Sequence, residues 1–242
     1  MELKEVTFII RRQAANDKSS AGYDRFPVQV TPGLTVLDGL FSIQEYQDPT
    51  LSFRFSCRGA VCGACSMVIN NEIRLACRTQ ILQLNSAKIK IEPLPNLPVI
   101  KDLVVDMTQF WEKHKYIKPW LEPRDEQPEK EWLMDEDLRV YLDSYGNCIL
   151  CAGCYGACPV PGRSGTEDFL GPVALVKNYR FYKDSREGGR FERLELVNSM
   201  AGLWGCDTVF RCVDVCPKGV RPTHGIINSR KKLIAGKLFG MK

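Results

Sequence analysis

The stretch Cys148-Ile-Leu-Cys151-Ala-Gly-Cys154-Tyr-Gly-Ala-Cys158-Pro159 is repeated once, later in the chain. The second copy reads Cys206-Asp-Thr-Val209-Phe-Arg-Cys212-Val-Asp-Val-Cys216-Pro217. Both follow the spacing C-x2-C-x2-C-x3-C-P, in which the fourth cysteine of each run binds the cluster of the other run. The second copy departs from the spacing only at Val209, where the pattern requires cysteine. The repeat therefore predicts two iron–sulfur clusters in the second half of the chain.

Exchange of the fourth cysteines divides the seven thiolates into two sets of different size. The larger set, suited to a [4Fe-4S] cluster, comprises Cys148, Cys151, Cys154 and Cys216. The smaller set, suited to a [3Fe-4S] cluster, comprises Cys158, Cys206 and Cys212. Because valine cannot bind iron, the second site is expected to lack one iron corner.

A different cysteine pattern occupies the first half, at Cys57-Arg-Gly-Ala-Val-Cys62-Gly-Ala-Cys65 with a distant Cys77. The C-x4-C-x2-C spacing followed by a fourth cysteine is typical of a plant-type [2Fe-2S] site. Gly59 and Gly63 allow the backbone to wrap closely around a small anionic cluster and to direct N–H groups at its sulfurs. The alternative is a four-cysteine zinc site, although zinc ribbons favour two C-x2-C knuckles and only Cys62 and Cys65 form one here.

Hydrophobic patterning places these motifs in two kinds of domain. Alternating or β-rich segments predict strands at 3–12, 26–30, 67–69, 72–76 and 88–92, with a helix at 35–46. Helical periodicity then predicts helices at about 104–116, 136–144, 168–181, 191–200 and 223–238. The predicted class is α+β: a β-grasp plant-type [2Fe-2S] ferredoxin domain over residues 1–103, then an α-helical bacterial-ferredoxin-like domain over residues 104–242. The proline-rich segment 92–98 is the predicted linker, and 121–131 reads as a surface loop.

Composition limits the other possibilities. No apolar run approaches the roughly 20 residues of a membrane-spanning helix. Eleven cysteines at metal-binding spacing, in a chain of 242 residues, do not fit a small disulfide scaffold. The net charge of +4 is mild and argues against a nucleic-acid partner. Basic residues nevertheless dominate the end of the chain from Lys218 to Lys242, which suits an anionic membrane surface, an acidic partner or simple solvation.

The chain offers little for catalysis by itself. It contains only two histidines, His114 and His224, and neither lies at ligand spacing from a cysteine. No G-x-G-x-x-G or G-x-x-x-x-G-K fingerprint is present, so no flavin or nucleotide site is expected. Three clusters in one chain therefore predict an electron-transfer protein without catalytic residues of its own.

The order of the cluster motifs resembles that of the iron–sulfur subunits of succinate dehydrogenase and fumarate reductase. The resemblance extends over the whole chain and includes Ile100-Lys-Asp-Leu-Val-Val-Asp-Met107 and Asp168-Phe-Leu-Gly-Pro-Val-Ala-Leu175. It implies a catalytic partner subunit that contains FAD, and one or more membrane-anchor subunits that bind quinone, expected to be menaquinone, with haem b as a further candidate group. It also implies a peripheral location on the cytoplasmic face of the bacterial inner membrane.

The resemblance is closest to bacterial fumarate reductases, in which electrons would run from quinol to fumarate. Many succinate dehydrogenases have paired tryptophans soon after the cysteine at 158 and a histidine after the cysteine at 206, whereas this chain has Val160-Pro-Gly-Arg-Ser-Gly165 and Asp207. The opposite direction, succinate oxidation, is the alternative. A quinol-contacting lysine of related fumarate reductases aligns with Arg230, which is a quinone-site candidate or an exposed helix cation.

Overall fold

The computed structural model describes residues 4–15 and 17–239, so the first residue of the strand predicted at 3–12 and Lys242 at the end of the basic segment lie outside the described residues. The first five strands are Lys4–Arg12 (β1), Gly22–Val30 (β2), Ser66–Ile69 (β3), Glu72–Leu75 (β4) and Lys88–Glu92 (β5). They form one mixed sheet in the order β2-β1-β5-β3-β4. Among the strands of the described residues, β1 and β5 pair in parallel, with Phe8 opposite Ile89, and the other pairs of this sheet are antiparallel.

One helix, α1 (Val36–Tyr46), packs on the sheet. It begins after Thr35, whose hydroxyl accepts the Asp38 N–H while the Asp38 carboxylate accepts the Thr35 N–H. This reciprocal capping fixes the start of the helix. Phe8, Leu37 and Leu40 are fully buried between helix and sheet, so the core lies beside the segment that carries the first cysteine motif.

The segment after β5 differs from the expected linker. Leu94 and Leu97 are buried, and the side chains of Leu94 and Pro95 approach Gly156. The chain then forms a second, two-stranded sheet of β6 (Val99–Lys101) and β7 (Val104–Val105), so the prediction of a helix from residue 104 was wrong at its start. Strand pairing prevails over helical periodicity here because Asp102, in a left-handed conformation, turns the chain between the two strands.

Asp102 also joins three parts of this region through its buried carboxylate. It accepts hydrogen bonds from the backbone N–H groups of Gln13 and Ser52, each at 3.0 Å. Arg12 Nε donates to the same carboxylate at 3.0 Å, and the Arg12 guanidinium also pairs with Asp48. Because a buried carboxylate is stable only when it is paired and hydrogen-bonded, these partners account for its burial.

The remaining elements are helical. They are α2 (Thr108–Tyr116), α3 (Glu136–Gly146), α4 (Gly153–Gly156), α5 (Gly171–Lys183), α6 (Arg190–Leu196), α7 (Arg211–Asp214) and α8 (Pro222–Phe239). Two predicted helices were misplaced: α5 begins three residues later than expected, with Pro172 in its first turn, and α6 ends at Leu196 rather than at 200. In the turn after α6, Gly202 lies so close to the Val197 carbonyl that any Cβ would clash, so this turn requires glycine.

A buried ion pair organises the middle of this helical region. Arg193 and Glu187 lie 2.7 Å apart with almost no exposed side-chain surface. The Arg193 guanidinium also donates to the carbonyls of Lys118 (2.9 Å) and Trp120. The pair therefore fixes the end of α2 and the following segment against α6.

The chain forms two compact units. The first contains the chain up to Met107 together with Ile149–Gly156, and the second contains Thr108–Cys148 and the chain from Ala157 onward. The boundary between residues 103 and 104 stays a prediction, because a compact unit in space need not coincide with a continuous domain along the chain.

Candidate metal centres

The first cysteine loop arranges its backbone around the sulfur of Cys57. Arg58, Ala60 and Gly63 adopt left-handed conformations, which turn successive N–H groups toward one side of the loop. The Cys57 Sγ accepts the N–H groups of Gly59 (3.4 Å), Val61 (3.3 Å) and Cys62 (3.2 Å). Arg58 and Ala60 adopt this conformation at a cost of about 1–2 kcal/mol each. The backbone of the loop is therefore strained where it presents its N–H donors.

These donors have an electrostatic effect on the thiols. Hydrogen bonds from the N–H groups of Cys62, Gly59 and Val61 lower the pKa of Cys57 to about 6. Burial instead raises the pKa of Cys65 to about 12, although the Cys77 N–H donates to its sulfur at 3.5 Å. The N–H donors stabilise negative sulfur at Cys57 on the exposed side, while Cys65 is buried on the inner side. This arrangement fits a cluster bound at the edge of the core.

Arg58 is a residue of this loop to which the cysteine spacing gives no role. Its guanidinium lies over the ring of Phe41 at 4.6 Å and near that of Phe55 at 5.7 Å. Cation–π contact with two rings holds the charge on the exposed face next to Cys57. The arginine after the first cysteine and the nearby aromatics were the available sequence signal.

The two copies of the repeated motif share a backbone conformation as well as a spacing. In the first copy the residues on either side of Cys151, Leu150 and Ala152, have positive φ angles of 54° and 59°. In the second copy the residues on either side of Val209, Thr208 and Phe210, have φ angles of 60° and 61°. Val209 is therefore the counterpart of Cys151, and the missing sulfur is a change of side chain between two residues that are left-handed in both copies.

Cysteines of different copies pack against the same hydrophobic cluster in the second unit. Cys148 of the first copy and Cys216 of the second pack against one hydrophobic cluster formed by Tyr145, Val176, Tyr179 and Val220. This arrangement supports the exchange of the fourth cysteine. Cys151 and Cys154 lie in the segment grouped with the first unit, and the complete four-thiolate set stays a prediction.

The three-cysteine set lies within the second unit. Cys158 and Cys206 pack against the same core cluster, and Cys212 is buried at the start of α7. Burial raises the pKa of Cys158 to about 11, and the charges of Cys206 and Cys212 add to this effect, so the three sulfurs are electrostatic neighbours. Their assignment to one [3Fe-4S] site stays a prediction.

Two further side chains support this set. The Thr223 hydroxyl, in the first turn of α8, lies 2.9 Å from Cys212 Sγ. Arg230 donates to the carbonyls of Leu203 (2.8 Å) and Cys206 (2.6 Å) and to the Thr208 hydroxyl (3.1 Å). Arg230 is thus a positioning residue of the Cys206 loop rather than a free helix cation, while its contact with quinone stays a prediction. Sequence reasoning gave no role to Thr223, although Pro222 before it marks a helix start.

None of the eleven cysteines, all of which lie among the described residues, forms a disulfide. Among residues 4–15 and 17–239, no group of three or more His, Cys, Asp or Glu side chains is placed to hold a single metal ion. The candidate ligands are therefore identified by motif, by loop conformation and by the donors around their sulfurs. Within the same described ranges, no helix is long and apolar enough to cross a membrane.

A known family model matches each half of the chain. The 2Fe-2S iron-sulfur cluster binding domain matches residues 7–112, and the 4Fe-4S dicluster domain matches residues 144–220. A chain from the Mycobacterium smegmatis Sdh1 complex in the apo form superimposes with a TM-score of 0.90 over the full length of both chains, at 24% identity. The predicted α+β class, with a sheet-containing first domain and a helical second domain, is confirmed.

Two relatives show how far the sequence similarity extends. The chain is 43% identical over 201 residues to succinate dehydrogenase [ubiquinone] iron-sulfur subunit 1, mitochondrial, of Oryza sativa subsp. japonica, which covers 82% of this chain and 71% of the relative. It is 37% identical over 235 residues to the fumarate reductase iron-sulfur subunit of Mycobacterium tuberculosis, which covers 96% of this chain and 94% of the relative.

Proposed function

This chain belongs to the family of succinate dehydrogenase and fumarate reductase iron–sulfur subunits, and we propose that it transfers electrons from a membrane quinol to an FAD subunit that reduces fumarate to succinate. Membership makes it the electron-transfer subunit of an oxidoreductase complex. We further propose the direction of electron flow, the partner subunits and the residues that bind each cluster.

The observation that carries the proposal is the repeated motif with its single missing thiolate. The motif supplies a four-thiolate set and a three-thiolate set, and the plant-type loop supplies a third set of four. In full, the proposed ligands are Cys57, Cys62, Cys65 and Cys77 for [2Fe-2S]; Cys148, Cys151, Cys154 and Cys216 for [4Fe-4S]; and Cys158, Cys206 and Cys212 for [3Fe-4S]. When bound, such clusters accept and release one electron at a time.

Hydrogen-bond donors of this chain stabilise the negative charge that the proposed clusters carry during electron transfer. The N–H groups of Gly59, Val61 and Cys62 stabilise negative sulfur in the first loop without moving, because the left-handed residues fix them in place. In the second unit, Arg230 fixes the carbonyls next to Cys206, so the loop does not need to reorganise when charge changes. Little reorganisation favours fast electron transfer.

Partners are proposed at the two exposed cysteine loops. Cys57, Val61 and Cys62 are exposed in the first loop, which suits docking of the FAD subunit. Val209 and Phe210 are exposed in the second, which suits a membrane anchor that binds quinone, with menaquinone as the expected quinone. A chain placed between these partners would lie on the cytoplasmic face of the inner membrane as a peripheral subunit.

The direction of turnover rests on sequence features. The segment 94–107, and the absence of paired tryptophans after Cys158 and of a histidine after Cys206, favour fumarate reduction. The fumarate reductase relative also matches over more of both chains than the succinate dehydrogenase relative does. The second candidate is the same subunit working as succinate:quinone oxidoreductase, which the high identity to the latter relative favours.

The intact complex, purified without oxygen, tests the proposal. About nine iron atoms per chain and three distinct cluster signals in electron paramagnetic resonance (EPR) are expected. Quinol-driven fumarate reduction should be faster than succinate-driven quinone reduction. Stoichiometric zinc would contradict the cluster assignment, a soluble complex without quinone activity would contradict the partner assignment, and faster succinate oxidation would reverse the direction.

A further inference from the structure

The buried contact between Thr223 and Cys212 is not explained by the ligand assignment. Thr223 Oγ1 lies 2.9 Å from Cys212 Sγ, and the two residues are 1% and 7% exposed. A hydroxyl that could instead have been solvated is thus held against one sulfur of the three-thiolate set. The hydroxyl and the sulfur come from different elements, α8 and α7, so the contact is tertiary.

The direction of this hydrogen bond follows from the chemistry of the sulfur. A thiolate that binds iron has no proton, so Cys212 can only accept and the Thr223 hydroxyl must donate. Burial raises the pKa of Cys212, and hydrogen bonding by Thr223 opposes this effect. The hydroxyl donor lies in the first turn of an 18-residue helix.

Such donors act differently on the two charge states of a site. Reduction adds one negative charge, which spreads onto the sulfurs, and a hydrogen bond to a more negative acceptor is stronger. The effect is enlarged where water is excluded, as it is at these two buried residues. A fixed donor therefore stabilises the reduced state more than the oxidised state and raises the midpoint potential.

We propose that Thr223 is a positioning residue that sets the potential of the three-iron site through the hydrogen bond from its hydroxyl to Cys212. This inference rests on the proposed function, because it needs a cluster bound by Cys158, Cys206 and Cys212. One electron enters or leaves the site, the proton stays on Thr223 Oγ1, and no covalent bond forms or breaks. The hydroxyl would thereby make the three-iron site a better acceptor for electrons from the quinol side.

Thr223→Val tests the proposal, since valine has nearly the shape of threonine and lacks the hydroxyl. EPR-monitored redox titration of the purified complex should show a lower midpoint potential for the three-iron signal. A tenfold change in the ratio of oxidised to reduced site at fixed potential is expected, which equals about 59 mV for a one-electron couple. Thr223→Ser, which keeps the hydroxyl, should restore most of the original potential, and the other two clusters should not shift.

A matched control is Thr79→Val. Thr79 is also buried, but its hydroxyl donates to the Leu75 carbonyl rather than to a sulfur. This variant should leave the three-iron potential unchanged. A shift as large as that of Thr223→Val would mean that loss of any buried hydroxyl has the effect, which would overturn the proposal.

The remaining outcomes separate this inference from the proposed function. Absence of a three-iron signal in the unmodified complex contradicts the proposed function itself. A normal signal whose potential is the same in Thr223→Val contradicts only the role of Thr223. If the valine variant does not assemble the site, Thr223→Ala is titrated instead; failure of both to assemble would show that Thr223 is needed for structure and would also overturn the proposal.

Discussion

Gly63 lies so close to Cys151 that a Cβ atom on Gly63 would be 2.6 Å from the Cβ of Cys151. Gly63 belongs to the proposed [2Fe-2S] loop, and Cys151 is a proposed [4Fe-4S] ligand. The two cysteine motifs, 86 residues apart from Cys65 to Cys151 in the numbering, thus touch through a residue without a side chain. In the proposed ligand assignment, such an approach would shorten the path that an electron crosses between the two sites.

Gly63→Ala should therefore disrupt the first loop. The new methyl group would overlap Cys151, and the positive φ of 74° would strain alanine. We expect a loss of about 1–3 kcal/mol in the free energy of unfolding and reduced [2Fe-2S] content. Calorimetry measures the free energy of unfolding, and visible circular dichroism measures the [2Fe-2S] content. Gly59→Ala is the control, because its Cβ would lie 3.6 Å from the Cys57 carbonyl in ordinary contact; equal damage from both variants would contradict the explanation.

Val209→Cys should allow the three-iron site to bind a fourth iron. Val209 is 50% exposed and, like Cys151, lies between two left-handed residues, so a thiolate there would be placed as in the complete copy. Iron should rise by about one atom per chain, the signal of the oxidised site should change, and its potential should fall. Val209→Ala adds no ligand and should leave the signal as it is. An unchanged oxidised signal in the cysteine variant would show that this account of Val209 is wrong.

Arg230→Lys should weaken the Cys206 loop although it preserves the charge. Lysine cannot reproduce the planar fork that reaches Leu203, Cys206 and Thr208 together. Loss of these charge-assisted hydrogen bonds is expected to cost about 2 kcal/mol and to reduce three-iron occupancy, measured by thermal unfolding and EPR spin counting. Lys231→Arg, at an exposed neighbouring position, is the control. A raised KM for quinol with full occupancy would instead favour direct contact with quinone.

Glu187→Gln should destabilise the second unit more than an equivalent change at the surface. It leaves the Arg193 guanidinium buried without its counter-charge, which typically costs about 3–5 kcal/mol. The exposed partner of Arg139, Glu136, provides the comparison, since Glu136→Gln should cost less than about 1 kcal/mol. Denaturant unfolding measures both, and similar losses would mean that the buried pair has no special role.

Lowering the pH should destabilise the first unit through protonation of the Asp48 carboxylate. Hydrogen bonds from Thr50 and Arg12 lower the pKa of this carboxyl from 3.8 to about 2. The unfolded chain therefore binds the proton first, so the contribution of Asp48 to stability is complete above about pH 4 and is lost as pH falls toward 2. Asp48→Asn should make the free energy of unfolding less dependent on pH between 4 and 2. An unchanged slope would show that Asp48 does not contribute.

The local features were predictable because they depend on residues close together in the chain. The helical periodicity of residues 35–46 and the alternation in the short strands at 67–69 and 72–76 each involve a few neighbours, and the corresponding elements α1, β3 and β4 are present. The expected start of a helix at Val104 was wrong because the buried Asp102, which turns the chain into β7, is held by the backbone N–H groups of the distant Gln13 and Ser52, and helical periodicity does not report such contacts.

The sequence by itself determined the number of cysteine motifs, the three candidate ligand sets and the missing thiolate at Val209, because ligand identity depends on residue type and spacing. Only the tertiary structure decided which residues surround the sulfurs. Thr223 reaches Cys212 from another helix, Arg230 binds carbonyls more than 20 residues away, and Gly63 meets Cys151. These contacts join distant segments, and the packing of helices and loops that creates them leaves no periodic signal in the sequence.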